Sequence, residues 1–222
     1  MRIWTFAAQK GGCGKSTLAT QLAAYSERCG ETVLIIDVDP QGSVAVWQQQ
    51  RGGNSPMVIE AMPVKLDEIL ASARAFGVSL VMIDTAPHSD KDAVVAVRLA
   101  DLIICPAQPS MFDLASLRDT VNVLSLADAL SRAVGVVNFV PPQGGKRAYD
   151  EARVAMESFG LRVCPSFIGY RRAFPNAVAI GKAVCETEPN GKAAAEITDA
   201  WQFFNTLSPI AKTTRKKKAS AK

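Results

Sequence analysis

Histidine is almost missing: His88 is the sole one in 222 residues. No second imidazole and no C-x-x-C pair accompany it, so a zinc-type centre has no ligand cluster to draw on. The five cysteines, Cys13, Cys29, Cys105, Cys164 and Cys185, are scattered and odd in number. That usage fits reduced thiols in a cytosol. Long apolar runs are also lacking. No stretch approaches the ~20 residues that span a bilayer. Arg2 is followed at once by a short strand-like run, which leaves no signal-peptide pattern. There is no internal repeat and no linker between halves, so the length reads as one domain, long enough to bury roughly 70% of its unfolded surface. Acid is missing from the end of the chain. None follows Asp199, whereas Lys212, Arg215, Lys216, Lys217, Lys218 and Lys222 do. Six of the 25 basic residues lie there, leaving 19 against 21 acids, so the net charge of +4 belongs to the tail.

What is present is concentrated in Gln9–Thr17, which reads Gln-Lys-Gly-Gly-Cys-Gly-Lys-Ser-Thr. An apolar run, Ile3–Ala8, precedes it, and Leu18–Cys29 follows with helical apolar spacing. Strand, glycine loop and helix form the context that a phosphate-binding loop requires. Gly11, Gly12 and Gly14 allow the backbone to approach a phosphate closely, and the amides of the loop and first helical turn point at the anion. Lys15 supplies a point charge for the β- and γ-phosphates, and the Ser16 hydroxyl suits Mg²⁺. Cys13 occupies the variable loop position as a small filler.

Further along, strand-like and helical segments alternate. Strands are expected at Thr32–Asp37, Met57–Ala61, Leu80–Asp84, Leu102–Ala107, Ala133–Phe139 and Leu161–Ile168. Helices are expected at Ser43–Gln50, Lys65–Phe76, Lys91–Ala100, Phe112–Leu130, Gly144–Phe159 and Ala193–Leu207. This alternation predicts an α/β fold: a mostly parallel, twisted sheet with helices on both faces. Residues 1–208 form a single P-loop domain in this reading, and 209–222 a basic, disordered tail. Two strands end in acids. Asp37 opens Asp37-Val38-Asp39-Pro40-Gln41-Gly42, and Asp84 opens Asp84-Thr85-Ala86-Pro87. Acids at the carboxyl ends of parallel strands lie where such folds bind ligands. A Walker B aspartate reaches Mg²⁺ directly or through water. Helix capping and turn chemistry are the plain alternative for the first pair.

The loop departs from G-x-x-x-x-G-K-[ST] in having Gln9 where the first glycine belongs and an extra lysine, Lys10. In this it resembles the deviant Walker A box of the ParA/MinD ATPases. Asp37–Gly42, Leu80–Pro87 and Gln108-Pro109-Ser110 resemble that family's later motifs, in the same order. The resemblance spans roughly residues 1–207, in the short form without an operator-binding helix-turn-helix domain. It implies a P-loop ATPase that uses ATP and Mg²⁺. Lys15, the loop amides of Gly11, Gly12, Cys13 and Gly14, and Thr17 would hold phosphates. Ser16 and Asp84 would hold Mg²⁺ with Asp37 nearby, and Asp39 would place the attacking water. The family counterpart of Lys10 crosses a dimer interface to the partner's phosphates, so ATP would control homodimerisation. Asn138 lies in a region near the adenine in the family, though a turn-former before Pro141-Pro142 is an equal reading.

The resemblance further implies non-specific DNA binding by the ATP-bound dimer, and a ParB-like, cargo-bound adaptor that stimulates hydrolysis. The expected place is the bacterial cytoplasm, on the nucleoid. Arg171, Arg172, Lys182, Lys192, Lys216, Lys217 and Lys218 are the candidate DNA contacts, against the alternative of a solvated tail. Two alternatives remain: a positioning ATPase for a protein cargo, and a MinD-like membrane-cycling ATPase. The second needs an apolar terminal helix face, and Lys212–Lys222 has only alanines to offer. A metabolic reductase of related fold would need cysteines placed for a bridging cluster, which the spacing does not supply.

Overall fold

The computed structural model describes residues 1–53, 55–87 and 90–208. His88 and the tail expected over 209–222 lie outside the described residues. Among the described residues, seven strands form one all-parallel sheet: β1 (Arg2–Phe6), β2 (Val33–Asp37), β3 (Met57–Glu60), β4 (Leu80–Asp84), β5 (Leu102–Ala107), β6 (Ala133–Val137) and β7 (Arg162–Val163). Their order across the sheet is β3-β2-β4-β1-β5-β6-β7. Every residue of β1, β2, β4, β5 and β6 is buried. Both faces are covered, which is why these strands read as continuous apolar runs rather than alternating ones.

One face carries α1 (Lys15–Arg28), α2 (Ser43–Arg51), α7 (Ala173–Val178), α8 (Val184–Thr187) and α9 (Lys192–Leu207). They pack on Trp4, Phe6, Val33 and Ile35 through residues such as Leu18, Trp47, Phe174 and Phe204. The other face carries α3 (Leu66–Ala75), α4 (Asp90–Leu99), α5 (Met111–Leu126) and α6 (Gly145–Ser158). There Leu34, Ile36 and Val81 meet Leu66 and Leu70, and Ile103 and Cys105 meet Leu117 and Met156. Trp47 is 2% exposed and packs against the body.

Three elements differ from expectation. The last strand is two residues long, because Pro165 offers no N–H to continue the ladder. Helix α5 stops at Leu126, four residues early, where Asp128 turns the chain with a φ of 53°. The segment around Arg171–Lys182, expected only as scattered basic residues, contains α7 and leads into α8.

The register sets up the site. Asp84 of β4 is the Cα partner of Phe6 in β1 on one side and of Asp37 in β2 on the other. The glycine loop and the two acid-ending strands therefore leave the sheet side by side. The chain from β1 to β2 crosses to one side of β1, and the chain from β4 to β5 to the other. The loops thus open at the point where strand order reverses, the ligand position of open α/β sheets.

Candidate functional site

The glycine loop runs from the end of β1 into α1. Gly12 and Gly14 have φ of 74° and 98°, conformations that a side chain resists. Gly14 is doubly constrained, since a Cβ there would stand 2.2 Å from Asn138 Nδ2. That nitrogen donates to the Cys13 carbonyl at 2.8 Å, and Asn138 Oδ1 accepts from the Phe139 amide at 2.9 Å. Gln108 Nε2 donates to the Gly12 carbonyl at 3.1 Å. Residues at the ends of β5 and β6 thus hold two loop carbonyls from beneath. Helix α1 starts at Gly14 with no side-chain cap, so its first amides remain for an anion. Lys15 is 5% exposed, and its Nζ donates to the Ala8 carbonyl at 3.2 Å.

The loop glycines and the start of α1 line a cleft of about 490 Å³. Ser16, Thr17 and Lys15 form one side, and Asp39 and Gln41 another. Pro87, Trp47, Val178 and Phe139 supply apolar walls. Phe139 is a bulky residue at φ 56°, outside the ordinary regions, with its ring 6.1 Å from Tyr170 in a T-shaped contact.

Asp84 is fully buried, and neither carboxylate oxygen has a hydrogen-bond partner. Burial pushes its pKa up to about 7. The neighbouring Ser16 hydroxyl and the Lys15 charge oppose this, without closing a good hydrogen bond, while the charges of Asp37 and Asp39 reinforce it. A buried carboxylate left without a partner is costly, and a cation is what removes the cost. Among the described residues no three His, Cys, Asp or Glu side chains form a metal cage. The pairing of one carboxylate with one hydroxyl suits Mg²⁺, which is commonly completed by phosphates and water.

Asp37, expected near the metal, sits beside Asp84 and also organises the loop that follows it. Its Oδ1 accepts from the Asp39 amide at 3.1 Å, and its Oδ2 from the Val44 and Ala45 amides at 3.0 and 3.4 Å. Burial raises its pKa against these three bonds. The carboxylate caps α2 and fixes the Asp39 loop. Asp39 itself is partly exposed, lines the cleft, and accepts from the Gln41 amide at 3.0 Å.

Lys10 does not line the cleft. Its Nζ lies 2.6 Å from Asp113 Oδ2, and the Ser110 hydroxyl bonds the same carboxylate while capping α5. Asn138 does not line it either. Its amide is engaged with Cys13 and Phe139, and it clamps the loop. Cys13 is buried, and burial raises its thiol pKa.

The candidate DNA contacts divide. Arg171 grips Glu196 in a forked ion pair with a closest approach of 2.5 Å, which raises its pKa. Arg172, Lys182 and Lys192 are exposed. Lys182 lies next to the cleft wall, since its carbonyl accepts from Trp47 Nε1 at 3.2 Å. Lys216, Lys217 and Lys218 lie outside the described residues. Sequence reasoning missed Phe139 and Val178 as cleft walls and Asp113 as the partner of Lys10, and it marked Gln108 by its motif without its bond to the loop.

Taken together, the left-handed glycines, the uncapped helix and the buried lysine define a P-loop nucleotide-binding protein. The chain belongs to the family described as the CobQ/CobB/MinD/ParA nucleotide binding domain, which matches residues 4–184. It is 35% identical to the maintenance of carboxysome distribution protein A of Gloeobacter kilaueensis over 167 residues, covering 74% of each chain. It is 36% identical to the chromosome partitioning protein ParA of Caulobacter vibrioides over 152 residues, covering 59% of this chain and 54% of that one. Solved structures share the fold. MinD of Pyrococcus horikoshii, complexed with Mg-ADP, aligns with a TM-score of 0.75 at 18% identity, covering 96% of this chain and 99% of that one. A ParA family ATPase from Chlorobium tepidum aligns with a TM-score of 0.74 at 17% identity, covering 90% and 98%. Among the described residues no helix is long and apolar enough to cross a membrane.

Proposed function

We propose that this chain is a partition-type ATPase: it hydrolyses ATP with Mg²⁺, dimerises on ATP, and uses that cycle to move a cargo over DNA. The observation that carries the reading is Asp84, a fully buried carboxylate without a partner beside Ser16 and Lys15. In this role the amides of Gly11–Gly14, with Lys15 and Thr17, hold the phosphates, while Ser16 and Asp84 hold the ion. The Mg²⁺ supplies charge neutralisation on the phosphate oxygens. Asp39 orients the attacking water, held in place by Asp37. Phe139 and Val178 line the same cleft and offer apolar faces to the base.

Lys10 reaches the partner's phosphates once it leaves Asp113, so the nucleotide is part of the interface between two copies. Arg172, Lys182, Lys192 and the tail give the dimer its non-specific hold on DNA, and a ParB-like adaptor on the cargo stimulates turnover. The working place is the bacterial nucleoid. A protein assembly as cargo is the second reading, favoured by relatives named for carboxysome distribution. The test is Asp39→Ala. The variant should bind ATP and dimerise while phosphate release falls about 10²-fold or more. Release at the parental rate removes Asp39 from the hydrolytic role, and no Mg²⁺-dependent release by the parent removes the ATPase reading.

A further inference from the structure

Two side chains from distant strand ends set which way the glycine loop presents its backbone. Gln108 Nε2 donates to the Gly12 carbonyl at 3.1 Å, and Asn138 Nδ2 to the Cys13 carbonyl at 2.8 Å. These carbonyls belong to consecutive peptide units, Gly12–Cys13 and Cys13–Gly14. In a trans peptide the carbonyl and the following N–H point in opposite directions. Holding the two oxygens towards β5 and β6 therefore turns the amides of Cys13 and Gly14 away from those strands, to the side where Gly12 and Gly14 line the nucleotide cleft. Among the described residues, neither amide donates to a backbone carbonyl. The backbone also alternates in hand: Gly12 and Gly14 are left-handed, and Cys13 between them is not. Successive amides in such a stretch form an anion-binding nest.

Both donors are themselves fixed. Asn138 is 2% exposed, and its Oδ1 accepts from the Phe139 amide at 2.9 Å. With the oxygen taken by an N–H, Nδ2 is the atom that faces the Cys13 carbonyl. The Gln108 carbonyl accepts from the Ser110 amide at 2.8 Å, and Ser110 caps α5. Each clamp thus stands on the end of a fully buried strand.

Resting on the partition-ATPase reading, we propose that Gln108 and Asn138 are positioning residues for phosphate: they hold two loop peptides so that the amides of Cys13 and Gly14 face the anion before it arrives. Without the clamps, either peptide can rotate and turn its carbonyl to the cleft. An acceptor then replaces a donor where the ligand is most negative. Donors set in advance need no rearrangement when charge develops. The two side chains therefore act on the phosphates and leave recognition of the base to other residues.

The probe is tripolyphosphate with Mg²⁺, which carries neither base nor ribose. Its affinity and that of ATP for the full chain are measured by calorimetry for the parent, Gln108→Met and Asn138→Leu. Both substitutions are neutral and close in shape, so neither adds charge beside the anion. Each variant should lose about tenfold or more in affinity, by the same factor for both ligands. In the parent, tripolyphosphate should slow hydrogen exchange at the Cys13 and Gly14 amides about tenfold or more. That measurement needs no variant and stands even where one fails to fold. Parental affinity for tripolyphosphate in a folded variant overturns the role of the residue changed. A loss by Asn138→Leu confined to ATP makes Asn138 a base contact and overturns its part. Exchange at Cys13 and Gly14 unmoved by saturating tripolyphosphate, or no binding of it by the parent, overturns the whole proposal. Slowed exchange in a chain that releases no phosphate from ATP leaves the positioning intact and defeats the ATPase reading instead.

Discussion

Lys10 and Asp113 meet at 2.6 Å and tie the glycine loop to the first turn of α5. Asp113 is 4% exposed and also bonds Ser110, whereas Lys10 is 37% exposed. The lysine is thus the mobile partner of a fixed carboxylate. Asp113 is buried, so releasing Lys10 leaves its carboxylate with Ser110 as its side-chain partner, a cost that neutralising Asp113 removes. Asp113→Asn should increase ATP-dependent dimerisation severalfold, and Lys10→Ala should reduce it while sparing nucleotide binding by the monomer. Light scattering with ATP reads both, and an unchanged dimer fraction in the two variants sinks the role of the pair.

Gly14 predicts a non-additive pair. Alanine there must adopt a φ near 98° and place its Cβ against Asn138 Nδ2. Gly14→Ala should cost about 1–3 kcal/mol from backbone strain, plus the clash, and abolish nucleotide binding. Asn138→Ala removes the clash and leaves the strain, so the double variant should be more stable than the sum of the two single losses predicts. Chemical denaturation of the four proteins measures the coupling. Strict additivity would show that Asn138 does not determine the glycine.

These two contacts also mark where sequence reasoning runs out. The glycine loop, the strand-end acids and the sheet were legible because each is a local pattern with a physical cause: close backbone approach, burial on both faces, a carboxylate at a strand end. Asp113 and the inward amide of Asn138 were not legible as loop supports. They lie more than 100 residues from the loop they hold, and pairing over that distance leaves no periodicity. Asp37 shows the converse. Its motif reads first as a ligand with capping as the plain alternative, and the Val44 and Ala45 amides show that the carboxylate also caps α2. Arg171 looked the same as Arg172 until Glu196 was seen to hold it.

Asp84 fixes a pH dependence. Its pKa rises from the ordinary 3.8 to about 7 on folding. Between these values the folded state holds a proton that the unfolded state has lost. Stability of the nucleotide-free protein should therefore fall as pH rises through this window, by up to roughly 1.4 kcal/mol per unit. Asp84→Asn removes this dependence. In chelator, the variant should melt at a higher temperature than the parent at pH 8, with the difference vanishing near pH 4. Mg²⁺ with ATP should raise the parental melting temperature at pH 8 and leave the variant's almost unmoved. A parental melting temperature independent of pH between 4 and 7 in chelator contradicts the buried, unpartnered carboxylate.

DNA binding tests the division among the basic residues. If the tail neutralises up to about 6 phosphates, its deletion should lower the log–log salt slope by up to about 5. Partial occupancy gives a smaller loss. A preference for ATP over ADP is expected from Arg172 and Lys182, which lie in the described body and would be repositioned by dimerisation. Arg172 is exposed, whereas Arg171 is held by Glu196, whose Oε2 also accepts from the Gly169 amide at 3.1 Å. Arg172→Glu with Lys182→Glu should abolish ATP-dependent binding and keep the ATP-bound dimer. Arg171→Gln should instead lower the melting temperature, with DNA affinity close to parental. The measurement is DNA affinity against salt, with ATP and with ADP, for the three variants. Full ATP-dependent binding by the Arg172/Lys182 variant removes these two residues from the DNA surface. A loss confined to Arg171→Gln would mean that the ion pair with Glu196 opens on DNA.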